Sequence, residues 1–370
     1  MKKLLYFVFG AVFNVFCVFC PLKERRVVLM ALHNEGENGA LSRIEETLKD
    51  FGDYEIIRFN RDELFSSSSG IFDFFFVKSR ILATASYVFL NDNFMPFKYM
   101  RFRKGVKVVQ LWHGEGAFKR FGLGQKTDKK TADLLTKGNR NLTDVIVTSK
   151  NVKQIYAQAF GVPVQKVKAY GSPRIDLFFS LSERQKGELK EKFLELYPSC
   201  RGKKIVLYAP TFRDDKSSND ALFSNFPFEK WRDELSGEYA LLVRAHPQVG
   251  GSIPPQDGFI NVSDYPSVSE LTVVCDILVT DYSSICMDFA VQNKPTLFYA
   301  FDLEYYCDDE RGFYYDYESY VPGKTVFTGE ELIKAVRGED FEPERREKFL
   351  SMNFDYLDRY SAKRIIEKVL

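Results

Sequence analysis

Residues 275–290 read CDILVTDYSSICMDFA. The short, mostly apolar run Ile277–Thr280 is typical of a buried strand, and Asp281 ends it. Ser283 and Ser284 then open a second apolar segment, which is the pattern of a helix that begins at a serine N-cap. A buried strand followed at once by a helix is half of a βαβ unit, so this stretch predicts a parallel sheet covered by helices.

The same alternation of short apolar runs and helical patterns extends in both directions along the chain and favours βαβ units throughout. Further strands are expected at 27–32, 54–59, 87–90, 106–112, 145–148, 167–170, 204–209, 240–244, 259–262 and 296–299. Helices are expected at 149–161, from near positions 228, 267 and 284, and at 343–370.

The length of 370 residues exceeds what one hydrophobic core usually serves, so we expect two domains. A charged helical stretch at 180–203 precedes a fresh strand and marks the boundary between them. The predicted division is an apolar segment at 1–25, an N-terminal domain at 26–185 and a C-terminal domain with closing helices at 186–370. The fold class that fits is α/β, with two Rossmann-like doubly wound domains facing a cleft, the glycosyltransferase B type of architecture.

The composition excludes some classes of partner. Lys and Arg number 52 against 51 Asp and Glu, so no global positive field would attract nucleic acid, and no nucleic-acid partner is expected. The six cysteines form no disulfide framework, which suits a reducing compartment.

The apolar segment LLYFVFGAVFNVFCVFCPL at 4–22 has about the length needed to cross a bilayer and is flanked by basic residues at both ends. A signal peptide, a spanning anchor, a helix lying in the membrane interface and a buried N-terminal helix all fit this pattern. No small-residue cleavage site follows the segment, which weakens the first interpretation. We expect an uncleaved, membrane-associated segment, with the protein peripheral or monotopic at the cytoplasmic face of the cell membrane.

Two of the three histidines stand where a predicted strand gives way to a polar loop. His113 ends the run VVQLWHG at 108–114, and His246 ends LLVRAHP at 241–247. Ligands of open α/β sheets bind beyond the carboxyl ends of the strands, and imidazole titrates near neutral pH, so both positions are candidate sites. A histidine that ends a strand can also be a purely structural hydrogen-bonding group.

Several residues predict anion binding in the C-terminal domain. The helix start at Ser283 and Ser284 offers hydroxyls and free backbone N–H groups, with Asp281 before it and Asp288 one turn later. An ordinary serine N-cap would look the same. Arginine matches phosphate oxygens in bidentate fashion, and arginines and a hydroxyl follow two strands at Thr211, Arg213 and Arg244.

The N-terminal domain repeats this pattern at Arg174 and adds the basic loop of Lys119 and Arg120 after His113. Any one of these cations could instead form a surface ion pair. No GxGxxG motif follows the first strand, which argues against NAD, and the residues call for neither a cofactor nor a metal.

Together, six ordered motifs after about Arg26 resemble those of the CDP-glycerol glycerophosphotransferases that prime or polymerise teichoic acid and related capsule polymers. The motifs are WHG at 112–114 followed by Lys119 and Gly122, GSPR at 171–174, APTFR at 209–213, RAHP at 244–247, TDYSS at 280–284 followed by Asp288, and RGFYYD at 311–316. Glu115 departs from the pattern, because relatives often carry a small hydroxyl residue there.

The resemblance implies a glycosyltransferase B fold, with CDP-glycerol or a related CDP-polyol bound mainly by the C-terminal domain. The acceptor would be a lipid-linked saccharide or polyol phosphate polymer, and the membrane association would be monotopic. By the same resemblance His113 is the catalytic base and His246 contacts the donor phosphates. The predicted donor-binding set is Gly114, Arg174, Thr211, Arg213, Arg244, His246, Asp281, Ser283, Ser284 and Asp288, with Lys119 and Arg120 on the acceptor or phosphate side.

In the expected reaction an acceptor hydroxyl attacks the distal phosphorus of the donor and CMP leaves. The resemblance implies transfer of glycerol phosphate, and a longer polyol such as ribitol stays open. Two other functions also stay open: a nucleotide-sugar glycosyltransferase of the same fold, and a membrane-bound scaffold that has lost catalysis.

Overall fold

A computed structural model describes residues 2–33, 38–65, 70–213, 215–246, 253, 258–307 and 312–370. Pro247 and Arg311, which belong to two of the six motifs, lie outside the described residues. The chain forms two compact α/β units, one of Met1–Leu177 with Asn353–Leu370 and one of Phe178–Met352. Each unit has a six-stranded sheet in which the paired strands are parallel.

The strands are numbered in chain order as β1 Lys23–Ala31, β2 Glu55–Asn60, β3 Ala85–Leu90, β4 Lys107–Gln110, β5 Asp144–Val147, β6 Val167–Ala169, β7 Lys204–Tyr208, β8 Tyr239–Val243, β9 Ile260–Asn261, β10 Ile277–Thr280, β11 Thr296–Tyr299 and β12 Lys324–Val326. All of the strands predicted from the sequence are confirmed within a few residues at their ends. The three-residue β12 was not predicted; its sequence, KTV, is not a continuous apolar run.

The helices in the described residues are α1 Lys2–Phe19, α2 Ala40–Leu48, α3 Arg61–Phe65, α4 Gly70–Phe72, α5 Ser79–Ala83, α6 Lys129–Asn139, α7 Lys153–Phe160, α8 Asp176–Ser180, α9 Glu183–Leu196, α10 Lys216–Ser224, α11 Phe228–Glu234, α12 Val268–Val274, α13 Ile285–Val291, α14 Leu303–Tyr305, α15 Tyr317–Tyr320, α16 Gly329–Arg337, α17 Pro343–Asn353 and α18 Ser361–Val369. A π-helical segment, Asp73–Lys78, joins α4 to α5.

The strand order of each sheet contains one point where the winding reverses. In the first unit the order is β2-β1-β3-β4-β5-β6, and the reversal lies between β1 and β3. In the second unit the order is β12-β11-β10-β7-β8-β9, which is the Rossmann order with its reversal between β7 and β10. Open α/β sheets bind ligands beyond the carboxyl ends of the strands at such a point, so each unit has one favoured position for a site.

The domain boundaries that we expected need two corrections. The first unit ends at Leu177, not at 185, and the C-terminal helix α18 belongs to it, not to the second unit. The reason is that Ile365 and Ile366 of α18 are fully buried in the same apolar cluster as Leu41 and Ile44 of α2. Sequence periodicity shows that α18 has an apolar face, but it does not show which sheet covers that face.

Asp176 holds α18 in the first unit by capping its N-terminus. Its two carboxylate oxygens accept hydrogen bonds from the backbone N–H groups of Ser361 (3.1 Å) and Ala362 (2.9 Å). Burial raises the pKa of Asp176 to about 6, and these hydrogen bonds only partly offset it. The carboxyl is therefore easier to protonate in the folded chain than in the unfolded one.

We expect the capping carboxyl to make the stability of the first unit depend on pH. Because the folded pKa lies above the unfolded one, its contribution is largest below about pH 4 and is lost as the pH rises through about 6. Urea unfolding gives the free energy of unfolding of the wild type and of Asp176→Asn. The wild-type value minus the variant value should fall by about 2 kcal/mol from about pH 4.5 to about pH 7. A difference that stays constant or grows would contradict this assignment.

Helix α1 packs on the first unit with one face. Phe9 and Phe13 are fully buried, and a Cβ at Gly10 would come within 2.5 Å of Tyr99, so glycine is required there. Asn14 donates from Nδ2 to the carbonyl of Tyr99 at 2.9 Å. Among the described residues no helix combines the length and the apolar character that a bilayer crossing needs.

Candidate active site

Three polar side chains follow neighbouring strands of the first sheet. His33 lies two residues after β1, Asn91 directly after β3 and His113 three residues after β4. Because β1, β3 and β4 are adjacent and parallel, their carboxyl ends meet at one edge of the sheet. This edge contains the reversal between β1 and β3, the favoured position for a site.

The hydrogen bond of His113 decides which ring nitrogen carries the proton. Nδ1 lies 2.9 Å from the backbone carbonyl oxygen of Asn91. A carbonyl oxygen can only accept, so in this contact Nδ1 is the donor and the neutral ring keeps its lone pair on Nε2. His113 can therefore accept a proton at Nε2 without giving up the bond that orients it, which is what a general base needs.

Trp112, directly before His113, has a backbone conformation that bulky residues rarely adopt. Its φ is +62°, and such a conformation costs about 1–3 kcal/mol. The backbone N–H of Trp112 donates to Oε1 of the fully buried Gln110 at 2.9 Å. Nε2 of Gln110 in turn donates to the carbonyl of Asp92 at 3.2 Å. The sharp turn at Trp112 ends β4 earlier than predicted and holds His113 at the edge of the sheet.

Glu115 is buried and binds Arg174. Nε and Nη2 of Arg174 donate to the two carboxylate oxygens of Glu115, and the hydroxyl of Ser172 donates to Oε1 at 2.9 Å. Burial opposes ionisation, but the Arg174 guanidinium and the hydroxyl outweigh it and hold the pKa of Glu115 below its usual range. A donor phosphate would have to compete with this carboxylate, so the predicted contact of Arg174 with the donor stays a prediction.

The other predicted residues of the first unit lie close to His113 in the chain. The carbonyl of Gly114 accepts a hydrogen bond from the hydroxyl of Tyr156 at 2.7 Å. Lys119 is half-buried and Arg120 is exposed. Their predicted roles stay predictions.

In the second unit the predicted donor residues meet at the carboxyl edge of the sheet. Strands β10, β7 and β8 are neighbours, and Asp281, Thr211 and Arg244 follow them. The backbone N–H of Thr211 donates to Oδ1 of Asp281 at 2.8 Å, and that of Arg244 donates to the carbonyl of Tyr208 at 2.9 Å. The three loops are thus joined at the reversal between β7 and β10.

Hydrogen bonds from one nitrogen of Arg244, Nη1, orient its guanidinium group. Nη1 donates to the carbonyls of Val262 (2.9 Å) and Tyr265 (2.8 Å), so both of its N–H groups are used. The group is half-buried, which leaves the Nη2 and Nε edge as the part suited to a phosphate. His246 is exposed two residues later, with its ring centroid 4.5 Å from that of Phe212.

Two hydroxyl-bearing loops complete this edge. Ser284 is exposed and caps α13 without a side-chain hydrogen bond to it, while the Ser283 hydroxyl accepts from the N–H of Ile285 at 3.4 Å. Oγ1 of Thr211 is buried and has no hydrogen-bond partner in the described part of the chain. These groups, with Arg244 and His246, can donate to the oxygens of a diphosphate.

Arg213 does not lie where the sequence analysis placed it, on the donor. Its side chain is fully buried, and Nε donates to Asp302 (2.8 Å), Nη2 to Asp281 (2.9 Å) and Nη1 to the carbonyl of Thr211 (2.6 Å). Desolvation would lower the pKa of the guanidinium, but the two carboxylates outweigh it and raise the pKa. Arg213 is a structural cation that binds the loop after β7 to the loop after β10.

Two acidic residues of the predicted donor set are also buried. Oδ1 of Asp281 accepts from the N–H groups of Thr211 and Tyr282, and Oδ2 accepts from Arg213, so this carboxylate serves the loops themselves. Asp288 is 2% exposed and lies inside the second unit. With both carboxylates buried, their predicted contacts with the donor stay predictions.

His33, Asn91 and Gln110 were missed as site residues by the sequence analysis. The signal for Asn91 and His33 was present, because each follows a strand at the carboxyl edge. Gln110 lies within β4 and carries no such signal. In the described residues, no group of three or more His, Cys, Asp or Glu side chains is arranged to hold a metal ion.

Comparison with known proteins agrees with this architecture. Residues 12–370 match the family model described as CDP-Glycerol:Poly(glycerophosphate) glycerophosphotransferase. The chain is 34% identical to a teichoic acid poly(ribitol-phosphate) polymerase of Bacillus spizizenii, over all of this chain and 60% of that protein. It is 26% identical to a teichoic acid ribitol-phosphate primase of the same organism, over 97% of this chain and 94% of that protein.

The chain thus spans less than two thirds of the length of several curated relatives. Among solved structures, the wall teichoic acid polymerase TagF superposes with a TM-score of 0.77 at 20% identity, covering 98% of this chain and 93% of that one. This likeness shows a common fold of two parallel-sheet α/β domains. On the match of the family model over nearly the whole chain, the protein belongs to the CDP-glycerol:poly(glycerophosphate) glycerophosphotransferase family.

Proposed function

We propose that this protein transfers a polyol phosphate from a CDP-linked donor to a hydroxyl of a teichoic-acid-type acceptor and releases CMP. The observation that carries the proposal is His113, whose Nδ1 bond to the Asn91 carbonyl leaves Nε2 as the proton acceptor. The edge formed by Arg244, His246, Ser283 and Ser284 in the second unit supports the donor assignment.

In this reaction the acceptor oxygen forms a bond to the distal phosphorus of the donor, and the bond from that phosphorus to the CMP oxygen breaks. Nε2 of His113 takes the proton of the acceptor hydroxyl. Arg244 and His246, with the N–H and hydroxyl donors at the start of α13, have the chemistry to stabilise the charge that develops on the leaving CMP. Arg213 acts indirectly, because it holds the loop that carries Thr211.

Mass spectrometry of the products tests the function directly. The protein is incubated with a synthetic lipid-linked saccharide or a short polyol phosphate acceptor, and with CDP-glycerol or CDP-ribitol in parallel. One added unit indicates a primase and a ladder of units a polymerase, and the productive donor identifies the polyol. Release of CMP without any extended product, or transfer only from UDP-sugars, would overturn the proposal.

Replacement of Arg244 should weaken donor binding. In Arg244→Ala the Nη2 and Nε edge is lost, and a charge-assisted hydrogen bond contributes about 1.5–3 kcal/mol, so the dissociation constant for CDP-polyol should rise about 10-fold or more. Titration calorimetry measures this constant. Arg184→Ala, which removes an exposed cation from α9, is the matched control and should leave the constant unchanged. An equal rise of the dissociation constant in both variants would show that Arg244 does not bind the donor.

We also propose that the outer face of α1 rests on the cytoplasmic face of the cell membrane. The face opposite Phe9 and Phe13 is apolar and exposed, and Val18 and Phe19 are 77% and 80% exposed. Soluble proteins seldom expose so many large apolar side chains on one helix, whereas such exposure is typical of an interfacial helix. The exposed apolar residues of this surface are Leu4, Leu5, Phe7, Val15, Val18 and Phe19 of α1 with Ile71, Phe72, Phe76 and Val77 of the neighbouring helical segment.

Two further observations support a lipid partner for this surface. Arg101 is exposed beside α1, and its backbone N–H donates to Oδ1 of Asn14 at 2.9 Å. Its side chain offers positive charge to anionic headgroups. No disulfide joins any of the six cysteines, each of which lies within the described residues, and this suits the reducing side of the membrane.

Vesicle flotation tests the membrane proposal. Wild-type protein should float with vesicles that contain phosphatidylglycerol, and the double variant Val18→Glu, Phe19→Glu should lose at least about 10-fold in partitioning, because each apolar side chain contributes about 1.5–3 kcal/mol when buried. Leu196→Glu, at an exposed leucine of α9 in the second unit, is the control and should float normally. Wild-type protein that stays with the soluble fraction would contradict the proposal.

A further inference from the structure

The imidazole of His33 stacks on that of His113. Their ring centroids are 4.1 Å apart and the planes differ by 8°. Trp112 also packs on His113, with centroids 4.0 Å apart and an interplanar angle of 32°. Two rings at such short distances cannot share one face of an imidazole, so His113 lies between the other two.

One residue holds both histidines in place. Oδ1 of Asn91 accepts from the backbone N–H groups of Leu32 (2.9 Å) and His33 (3.0 Å), and Nδ2 donates to the carbonyl of His33 (2.9 Å). The backbone carbonyl of the same Asn91 accepts from His113. Asn91 is fully buried, so the backbone of His33 and the ring of His113 are both tied to one residue at the carboxyl end of β3.

We infer that His33 is a positioning residue for His113, an inference that rests on the proposed role of His113 as the base. With one face against Trp112 and the other against His33, the ring cannot tilt away from its bond to Asn91. Nε2 then keeps one direction, and misplacement of a reacting group by about 1 Å costs about 100-fold in rate.

The stacked ring also affects the positive charge that His113 acquires when it acts as a base. When His113 takes a proton it becomes a cation, and an uncharged aromatic ring stacked at 4.1 Å stabilises such a cation and excludes water from one side of it. An aromatic ring without charge should serve this purpose as well as imidazole. The arrangement therefore predicts which substitutions at His33 are tolerated.

Steady-state kinetics of two variants tests the inference. His33→Ala should lower kcat about 10-fold with the KM for donor and acceptor within about twofold of wild type, because His33 orients the base and binds neither substrate. His33→Phe keeps the stacked ring and should recover kcat to within about threefold. Tyr54→Ala, which removes a ring at the amino end of the same sheet, is the matched control and should leave kcat unchanged.

A second readout does not depend on activity. The chain has three histidines, so ¹⁵N-histidine labelling gives three imidazole spectra, and His113→Ala identifies the relevant one. The spectrum of His113 should show the proton fixed on Nδ1 in the wild type and in His33→Phe, and a mixture of tautomers in His33→Ala.

A wild-type kcat and an unchanged His113 spectrum in His33→Ala would overturn the inference, and so would a rise in KM that His33→Phe does not correct. Full activity of His113→Ala would instead overturn the role of the base, while the spectra would still report whether His33 fixes the ring.

Discussion

Replacement of His113 by alanine is expected to lower turnover at least about 100-fold, because general base catalysis contributes about two to four powers of ten in rate. The variant removes an imidazole at the edge of β1, β3 and β4 whose lone pair is set by a hydrogen bond, from Nδ1 to the Asn91 carbonyl at 2.9 Å. Turnover is measured as CMP release with saturating CDP-polyol and acceptor.

Donor binding should largely survive in His113→Ala, since most of the predicted donor residues belong to the second unit. Calorimetry with CDP-polyol should give a dissociation constant within about threefold of wild type, and the thermal unfolding curve should be unchanged. Near-normal turnover would exclude His113 as the base. A loss of donor affinity as large as the loss of turnover would assign His113 to donor binding.

Replacement of Arg213 is expected to have the largest effect on stability. In Arg213→Met the carboxylates of Asp281 and Asp302 lose the cation between them, and breaking a buried ion pair in this way costs about 3–5 kcal/mol. The rings of Tyr282 and Tyr306, whose centroids lie 4.9 and 5.0 Å from the guanidinium carbon, also lose a cation–π contact. Urea unfolding of the second unit measures the loss.

A double variant separates the charge effect from the loss of packing. Adding Asp302→Asn to Arg213→Met removes one uncompensated carboxylate. The double variant should therefore lose less unfolding free energy than the two single variants lose in sum. Arg184→Met, at an exposed ion pair with Glu188, is the control and should cost less than about 1 kcal/mol. If Arg213→Met were as stable as this control, the buried network would not hold the loops together.

The elements of the fold follow from local sequence patterns. Each predicted strand is a short apolar run. Its hydrophobic period is a property of neighbouring residues, so each strand can be predicted from its own segment. The carboxyl ends of the strands also identified His113 and the loops that carry Thr211, Arg244 and Ser283. Backbone direction alone brings these positions to the edges of two sheets.

Contacts between distant segments decided the rest. Arg213 looks like a phosphate ligand until Asp302, 89 residues further on, folds against it and buries it. Arg174 likewise meets Glu115 from 59 residues away. The sequence shows the chemical type of a side chain. Whether that side chain binds a ligand or pairs with other residues inside the protein depends on which elements pack over it.

The sequence by itself therefore determined two parallel α/β units, the strand ends that carry the candidate site, and His113 as the candidate base. Only the tertiary structure decided that α18 completes the first unit, that Arg213, Asp281 and Asp288 are interior groups, and that His33 stacks on His113. The physical reason is that secondary structure depends on local periodicity, whereas burial and side-chain pairing depend on contacts between residues far apart in the chain.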